Sequence, residues 1–410
     1  MLGTMAPHLD LLDPDFWRTD PQDAFAWMRE QDGLHRDSGF VAITRHADVI
    51  AVERDDATFS SRGIYRVLPS PMEETMISHD NPRHLEQRRL VGPQLTPKAV
   101  NARSDDTDAL LDELVDAVVA GDDDQVEVID AWAAQLPART TARLLGLPES
   151  RWTDLKSWSE RQMRIDMRER DERIGADFYD SVREMFTFVA EEVPQRRGCP
   201  VPESFLDIWA NASIGDEPMS PEVVFNEFGL FVSGGAETTR TAIAHGLRLF
   251  CDHPDQWEAM AADPSLVPNA VEEVLRHVTP LNNMHRLAVT DAEVNGQPVA
   301  AGERLMLVYP SANKDESVFE DAQRFDITRP NADKHVAFGN GTHFCVGAHV
   351  ARYSLVGLFT RLSGSITDLR VVTEPDVEPN IFARAVRSFT LGFNRRERLG
   401  SGRSATPSAG

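Results

Sequence analysis

The sequence predicts a mainly helical protein with a minor β portion, arranged as one domain with two lobes. Helical periodicity is clearest over residues 100–120, 129–146, 151–169 and 173–193, and over a longer stretch from Pro221 to Cys251. Short strand patterns concentrate over residues 286–310 and 367–394. Because no repeat or low-complexity linker divides the chain, we expect a single domain over residues 1–396 and a disordered tail over 397–410.

The remaining elements follow from local signals. An amphipathic helix, a strand and a second short helix are predicted over residues 21–31, 39–45 and 46–54. The long helix begins behind Ser220, a favourable N-cap residue, and has proline at its first position. Further helices are predicted over residues 267–278 and from Val346 onward. In the last helix we expect one face to carry Val346, Val350, Leu355 and Leu358.

The charge balance is strongly acidic. The chain has 42 Lys+Arg against 66 Asp+Glu and a formal net charge of −24, which argues against a nucleic-acid partner or an anionic membrane surface. Three cysteines without metal-finger spacing indicate a reducing compartment rather than a disulfide framework. Since no secretory signal or stretch of about 18 apolar residues is found, we expect a cytoplasmic protein without a membrane anchor.

The most informative stretch is FGNGTHFCVG, residues 338–347. Gly339 and Gly341 allow a tight turn with positive φ ahead of Cys345, and Gly347 permits a close approach behind it. The helix that follows places Cys345 beside a helix N-terminus, which favours a negatively charged sulfur. The loop is therefore suited to presenting one thiolate to a metal.

Two phenylalanines, Phe338 and Phe344, would shield that thiolate from water. A haem iron held by cysteine needs such a loop, whereas the ordinary alternative is a buried free cysteine in a glycine-rich turn. The segment matches the pattern F-x-x-G-x-x-x-C-x-G, and on this motif the chain resembles the cytochrome P450 family.

The resemblance covers nearly the whole chain and implies the P450 fold, with a triangular helical lobe and a small β-rich lobe. It implies haem b (iron protoporphyrin IX) as the cofactor and Cys345 as the ligand to its iron. It also implies that Phe338, Gly339 and Gly347 border the cofactor.

The long helix carries the motif SGGAETT, residues 233–239. Two glycines inside a helix cost about 1 kcal/mol each relative to alanine, so they indicate either close packing or a groove for a small molecule. The motif resembles the acid–alcohol pair of P450 enzymes. That resemblance implies that Glu237 and Thr238 deliver protons during dioxygen activation and that Gly234 borders the cofactor. The alternative is a buried threonine beside a surface glutamate.

Glu273 and Arg276 lie three residues apart on one helical face, a spacing that is usually a weak surface ion pair. The resemblance instead implies the E-x-x-R pair of the family, with Arg329 as the third member. All three residues are then structural and serve folding and haem retention.

The propionates of a haem need cationic partners. The resemblance implies this role for His84, Arg88, Arg286 and His343. His84 and Arg88 are four residues apart and share one face of a short helix. The alternative for each residue is an ordinary surface cation.

The resemblance also implies which segments line a substrate pocket. The candidates are Ile64, Leu68, Leu230, Ser233, Leu281, Asn282, Met284 and Phe382. They are largely apolar, with Asn282 and Asn283 as candidate hydrogen-bond donors. Such a pocket suits a bulky lipophilic small molecule that carries a few oxygens.

The implied activity is that of a monooxygenase, a hydroxylase that inserts one oxygen atom from O2 into a C–H bond. Electrons would come from NAD(P)H through a separate ferredoxin and ferredoxin reductase. The motifs are closest to those of actinobacterial members that oxidise the steroid side chain, so we expect a steroid or terpenoid-like substrate.

Three alternatives to this function remain. Tailoring oxidation of a polyketide or peptide natural product is nearly as well supported by the motifs. A peroxygenase driven by hydrogen peroxide and a non-enzymatic haem sensor are less favoured, because neither needs the acid–alcohol pair.

Overall fold

The computed structural model describes residues 9–31, 33–37, 39–198 and 203–396. The α-helices in these ranges are α1 Pro14–Arg18, α2 Gln22–Glu30, α3 His46–Arg54, α4 Arg83–Val91, α5 Pro97–Asn101, α6 Ser104–Val119, α7 Gln135–Leu145, α8 Trp152–Gln162, α9 Glu172–Arg196, α10 Phe205–Asn211, α11 Pro221–Asp252, α12 Pro254–Ala262, α13 Val267–Val278, α14 Tyr309–Ala312 and α15 Ala348–Ser365. The strands are β1 Leu34–Asp37, β2 Phe40–Ile43, β3 Phe59–Ser60, β4 Gln125–Glu127, β5 Ser213–Ile214, β6 Glu217–Pro218, β7 Asn283–Ala288, β8 Ala292–Val294, β9 Gln297–Val299, β10 Arg304–Val308, β11 Ile366–Thr373 and β12 Thr390–Arg395.

The main sheet has five strands in the order β1-β2-β10-β7-β3. Only β2 and β10 run parallel, and their register pairs Leu305 with Val41. Alternate residues of these strands fall in two hydrophobic clusters: Val41 and Leu305 belong to one, Ala42 and Met306 to the other. Because side chains alternate between the faces of a sheet, the sheet is buried on both sides. A second sheet has the order β11-β12-β4.

The long helix α11 passes through the two largest hydrophobic clusters. Its first half, with Val224 and Phe228, packs in the cluster shared with α7, α9 and α10. Its second half, with Ile243 and Leu247, packs in the cluster shared with α6, α13 and α15. The Ser220 side chain accepts a hydrogen bond from the backbone N–H of Val223, so the predicted N-cap is confirmed.

The sequence located most elements correctly. Helices α3 and α13 have the predicted bounds, and the mainly helical fold with a smaller sheet portion is confirmed. Helix α12 was not predicted. The single-domain boundary stays a prediction, and its tail, residues 397–410, lies outside the described residues. No helix in the described part of the chain is both long and apolar enough to cross a membrane.

The expectation that Val346, Val350, Leu355 and Leu358 lie on one helical face is wrong. Val346 and Val350 pack beside the cluster around α7 and α9, whereas Leu355 and Leu358 lie in the cluster around α6 and α13. The step of five residues from Val350 to Leu355 turns a helix by about 140°, which carries the later side chains to another side.

Candidate active site

The loop before α15 is a tight turn, as predicted. Gly339 and Gly341 have φ of 66° and 64°. A Cβ on Gly341 would lie 2.2 Å from the carbonyl oxygen of Glu53, at the end of α3. The backbone N–H of Cys345 donates to the carbonyl of Phe338 at 2.9 Å and closes the turn. Glycine at position 341 is therefore required both by the backbone angle and by the packing on α3.

The thiol of Cys345 is free and accessible. Burial nevertheless raises the pKa of this thiol. Hydrogen bonds from the backbone of Gly347 and Ala348, together with Arg88, lower the pKa but do not outweigh burial. The backbone N–H groups at the helix N-terminus therefore favour the thiolate, as expected, but the burial of the sulfur outweighs them.

Gly347 plays a smaller part than expected. Its φ is −87°, and a Cβ there would meet only the Cys345 sulfur, at 4.0 Å. That distance is an ordinary van der Waals contact.

Two arginines and two histidines, Arg88, Arg286, His84 and His343, lie around the loop. The rings of His84 and His343 lie 4.4 Å apart, and Arg88 donates to the carbonyl of Phe344 at 2.6 Å. Burial and the neighbouring Arg88 lower the pKa of His84 to about 4, although Asp56 and Asp80 partly oppose this. Burial, Arg286, His84 and Arg88 together lower the pKa of His343 to about 2.

This group is rich in donors and poor in acceptors. The Nε2 atoms of His84 and His343 are buried and have no hydrogen-bond partner among the described residues. Arg286 lies 3.8 Å from Glu53 and donates to the neighbouring carbonyl of His285. Two arginines beside two buried imidazoles with unpaired ring nitrogens fit carboxylates from a bound group. The accessible thiol fits a metal in that same group, so the residues present fit a haem.

Glu53 is a buried carboxyl beside Arg286 that the sequence analysis did not single out. It is 3% exposed and accepts a 2.5 Å hydrogen bond from the Tyr309 hydroxyl. Burial raises its pKa to about 7, against the opposing effect of Arg286. Its position at the end of a short polar helix gives no sign of this environment.

The two glycines of α11 serve the two purposes that the sequence left open. A Cβ on Gly235 would lie 2.6 Å from the Thr141 hydroxyl, so Gly235 allows close packing against α7. A Cβ on Gly234 would meet nothing within 4 Å, so Gly234 borders open space. The Thr238 hydroxyl donates to the Gly234 carbonyl at 3.0 Å and thus lies at the edge of that space.

Glu237 is buried rather than a surface residue, being 2% exposed. Its Oε2 lies 3.4 Å from Nη1 of Arg240, one turn along the helix. Its Oε1 has no hydrogen-bond partner among the described residues. Burial raises the pKa of Glu237, and Arg240 only partly offsets this. A buried carboxyl that holds its proton beside a threonine can act as a proton donor.

Glu273, Arg276 and Arg329 come together as predicted, in a fully buried cluster. Arg276 donates to both carboxylate oxygens of Glu273, at 2.7 and 2.8 Å. Arg329 donates to Glu273 at 3.2 Å. The remaining donors of Arg276 reach the carbonyls of Asn313 and Ala322, in the irregular segment before the ligand loop. The burial and geometry match the proposed structural role.

The link to the ligand loop runs through Glu272, which the sequence analysis missed and which binds residues on either side of the loop. Glu272 accepts two hydrogen bonds from Arg352 of α15 and contacts His335 at 3.1 Å. The Arg352 guanidinium lies 4.6 Å from the centre of the Phe338 ring. Burial would raise the pKa of Glu272, but the bonds from Arg352 and His335 outweigh it and hold the pKa at about 2.

The structure brings together only part of the predicted substrate pocket. Leu281, Met284 and Phe382 share a small hydrophobic cluster with Met163 and Ala383. Three other candidates lie elsewhere: Leu68 packs near Val67, Leu230 packs in the cluster around α9, and Ile64 is a buried residue outside the clusters. The Ser233 hydroxyl donates to the Gly229 carbonyl at 2.9 Å.

The two asparagines differ from the expectation. The side-chain amide groups of Asn282 and Asn283 donate to the backbone carbonyl of Ile381, at 3.1 and 2.8 Å. Their side-chain oxygens are buried and have no partner among the described residues. They therefore offer acceptors rather than donors.

Arg66 is a buried cation in a segment that the sequence suggested to be largely apolar. Its guanidinium lies 3.7 Å from the centre of the Phe382 ring and donates to Asp166 at 3.2 Å. A second contact reaches only the sulfur of Met163, at 3.6 Å, and its Nε has no partner among the described residues. Since a guanidinium carries five donors, several remain unused.

Comparison with known proteins agrees with this geometry. A family model described as Cytochrome P450 matches residues 143–381. A steroid C26-monooxygenase of Mycobacterium tuberculosis is 33% identical over 406 residues, covering 97% of this chain and 100% of the relative. A linalool 8-monooxygenase of Pseudomonas putida is 33% identical, covering 86% of this chain and 91% of the relative. A Mycobacterium marinum cytochrome P450 solved in complex with pseudoionone is 28% identical, with a TM-score of 0.85, covering 95% of this chain and 100% of that one.

Proposed function

Because this chain belongs to the cytochrome P450 family and is a haem-dependent monooxygenase, we propose that it hydroxylates a steroid or terpenoid-like lipophile. Electrons pass from NAD(P)H through a ferredoxin and its reductase, in the cytoplasm. The observation that carries the proposal is the accessible Cys345 thiol in a loop flanked by Arg88, Arg286 and two histidines whose Nε2 atoms have no partner among the described residues. Relatives named for steroid and linalool oxidation support the substrate class.

The protein's own residues have separate tasks. Cys345 binds the iron, and His84, Arg88, Arg286 and His343 bind the propionates. Haem supplies the dioxygen chemistry when it is bound.

Proton supply is the task of α11. Glu237 and Thr238 hold and pass protons at the edge of the open space beside Gly234. Glu237 suits this task because burial raises its pKa and so favours the protonated carboxyl.

The pocket residues support a substrate with both apolar and oxygen-bearing parts. Leu281, Met284 and Phe382 offer an apolar wall. The spare donors of Arg66 suit a carbonyl or carboxylate oxygen of the substrate, and the free oxygen of Asn282 suits a hydroxyl. A keto sterol or an oxygenated terpenoid carries such groups.

Titration of the ferric haem protein tests the substrate class. We expect a 3-oxo sterol to convert the Soret band from the low-spin to the high-spin form, because a substrate held in the pocket would lie beside the haem and exclude water from it. Reconstitution with ferredoxin, reductase and NADH should then yield a hydroxylated sterol, detected by mass spectrometry. A spin shift with a macrolide but with no sterol or terpenoid would overturn the substrate class while leaving the monooxygenase activity in place.

The two described cysteines offer a matched test of the ligand. Cys345→Ser should abolish the thiolate signature in the carbon monoxide difference spectrum of the reduced protein. Cys251→Ser should leave it intact, since Cys251 lies at the end of α11 and burial raises its pKa to about 12. An intact signature in Cys345→Ser would contradict the assigned ligand.

A further inference from the structure

Glu53, near the end of α3, packs against the glycines of the ligand loop. A Cβ on Gly339 would lie 3.1 Å from Oε1 of Glu53 and 3.6 Å from the hydroxyl oxygen of Tyr309. The Tyr309 hydroxyl donates to the same Oε1 at 2.5 Å. The backbone carbonyl of Glu53 is also the group that leaves no room for a Cβ at Gly341. The carboxyl is therefore held at a fixed place beside the loop.

Glu53 is also the counter-charge of Arg286, one of the residues proposed to bind a propionate. Nη2 of Arg286 lies 3.8 Å from Oε1 of Glu53, and no other carboxylate in the described part of the chain forms an ion pair with this guanidinium. The Arg286 side chain is 4% exposed and that of Glu53 is 2% exposed. Because little water screens buried charges, the charge of Glu53 acts strongly on Arg286 and on an anion that Arg286 binds.

The carboxyl of Glu53 is only half paired. Its Oε2 is buried and has no hydrogen-bond partner among the described residues. A permanently ionised buried carboxylate normally has partners at both oxygens, as Glu273 does with Arg276. The arrangement around Glu53 instead suits a carboxyl that changes between its ionised and protonated forms.

The surroundings of Glu53 place this change near neutral pH. Burial raises the pKa of Glu53 to about 7, and Arg286, Tyr309 and the backbone of Asn340 oppose burial. Tyr309 itself stays neutral, because burial and the charge of Glu53 raise its pKa.

Other ionisable residues on α3 and on the segments packed against it do not take over this titration. His343, in the turn that packs on α3, has its pKa lowered to about 2 by burial and by neighbouring cations. Glu293 of β8 is exposed, so water screens its charge. Arg54, the next residue of α3, is exposed and donates to the side chain of Asn340 at 2.9 Å. The buried charge beside Arg286 that changes is therefore that of Glu53.

We propose that Glu53 sets the reduction potential of the bound haem in a proton-linked manner, through Arg286. This role rests on the proposed binding of a propionate by Arg286. The negative charge of ionised Glu53 offsets that of Arg286 and disfavours reduction. When reduced ferredoxin supplies one electron, the added negative charge favours protonation of Glu53, and solvent supplies up to one proton. Glu53 does not touch substrate, so it is a positioning residue.

Spectroelectrochemical titration of the haem-loaded, substrate-free protein tests this role without turnover. The variant Glu53→Gln carries no charge at any pH. Its equilibrium constant for reduction should equal the wild-type value at pH 5, where Glu53 is protonated. At pH 9 it should exceed the wild-type value about tenfold, the effect of a one-unit difference in the pKa of Glu53 between the oxidised and reduced protein.

Tyr309→Phe is a second variant, which keeps the ring and removes the hydrogen bond to Glu53. Because this hydrogen bond lowers the pKa of Glu53, the pH at which the potential changes should move upward in Tyr309→Phe. A purely structural role of the two residues would not give a shift in this direction.

The matched control is Glu272→Gln, on the other side of the ligand loop. Hydrogen bonds from Arg352 and His335 hold the pKa of Glu272 at about 2, so its carboxylate is ionised from pH 5 to pH 9. The substitution should change the equilibrium constant for reduction by the same factor at both pH values.

The outcomes separate the role of Glu53 from the proposed function. If Glu53→Gln differs from the wild type by the same factor at pH 5 and pH 9, or not at all, the proton-linked role is overturned. Arg286→Gln tests the propionate site by the rate of haem transfer to apomyoglobin. Faster transfer supports that site whatever Glu53 does, whereas an unchanged rate overturns the site and the role of Glu53 with it. Neither result contradicts the monooxygenase activity.

Discussion

The molecule contains two buried charge clusters that differ in how completely they are satisfied. Around Glu273 each carboxylate oxygen accepts a hydrogen bond, and Arg276 and Arg329 use their remaining donors on backbone carbonyls. Around Glu237 one carboxylate oxygen and the Nε of Arg240 have no partner among the described residues, and a cleft adjoins them. We call the Glu273 cluster closed, because its polar atoms are paired, and the Glu237 cluster open, because some of its buried polar atoms are not.

This difference separates a structural role from a chemical one. A buried ion pair with every donor and acceptor satisfied fixes the chain at that point, and no proton or ligand is needed to complete it. A buried carboxyl with a free oxygen next to a cleft can exchange a proton with water. Burial and charge alone do not distinguish the two clusters, whereas the count of unpaired atoms does.

The largest effect is expected from Glu273→Gln. The amide cannot balance the charges of Arg276 and Arg329, and breaking a buried pair typically costs 3–5 kcal/mol, so we expect the folded state to be lost or nearly lost. Glu237→Gln should cost about 1 kcal/mol or less, because Arg240 keeps Glu160 as a partner. Urea unfolding followed by circular dichroism measures both. Equal losses in the two variants would show that the clusters do not differ.

The buried polar contacts differ in whether they could be predicted from the sequence. The Cys345 loop and the Glu273–Arg276 pair were predicted because their residues are close in the chain and their spacing is diagnostic. The pairs Glu272–Arg352 and Arg66–Asp166 were not, because their partners are 80 and 100 residues apart and only the fold brings them together.

The direction of the pKa shifts could not be predicted from the sequence. The pKa of Cys345 is raised rather than lowered because depth in the fold outweighs the helix N-terminus. The sequence identifies the residue next to a helix end but not its depth.

A third buried carboxyl, Glu227 of α11, extends the comparison to a site with no ion-pair partner in the described part of the chain. It accepts a 2.7 Å hydrogen bond from the backbone N–H of Met76, and burial raises its pKa to about 8. Glu73 raises this pKa further, and Arg83 lowers it. Since the folded pKa is above the unfolded value of 4.5, wild-type stability should fall as pH rises from about 4.5 to 8.

The variant Glu227→Gln should not show this fall in stability at high pH. We expect the variant to unfold like the wild type at pH 5 and to be about 2–4 kcal/mol more stable at pH 9. The free energy of unfolding in urea at the two pH values measures this difference. A variant that is destabilised equally at both values would mean that the carboxyl is ionised throughout.

Within the open cluster, Thr238→Ala should affect chemistry with little effect on stability. The hydroxyl lies at the edge of the space beside Gly234 and makes one hydrogen bond within its own helix, so its loss should reduce coupled product formation about tenfold and release peroxide. Thr239→Ala is the matched control because it removes the next hydroxyl along α11. The measurement is the amount of product and of peroxide formed per NADH consumed. Unchanged coupling in Thr238→Ala would remove the threonine from the relay.

The smallest effect is expected at the surface pair Arg161–Glu184, which joins α8 and α9 with short contacts comparable to those of Glu273 and Arg276. Glu184 is 51% exposed there, while Glu273 is fully buried. Water and salt screen an exposed pair, so a double-mutant cycle with Arg161→Gln and Glu184→Gln should give a coupling energy below about 1 kcal/mol that disappears in 1 M salt. A coupling above 2 kcal/mol would show that geometry, not burial, controls these ion pairs.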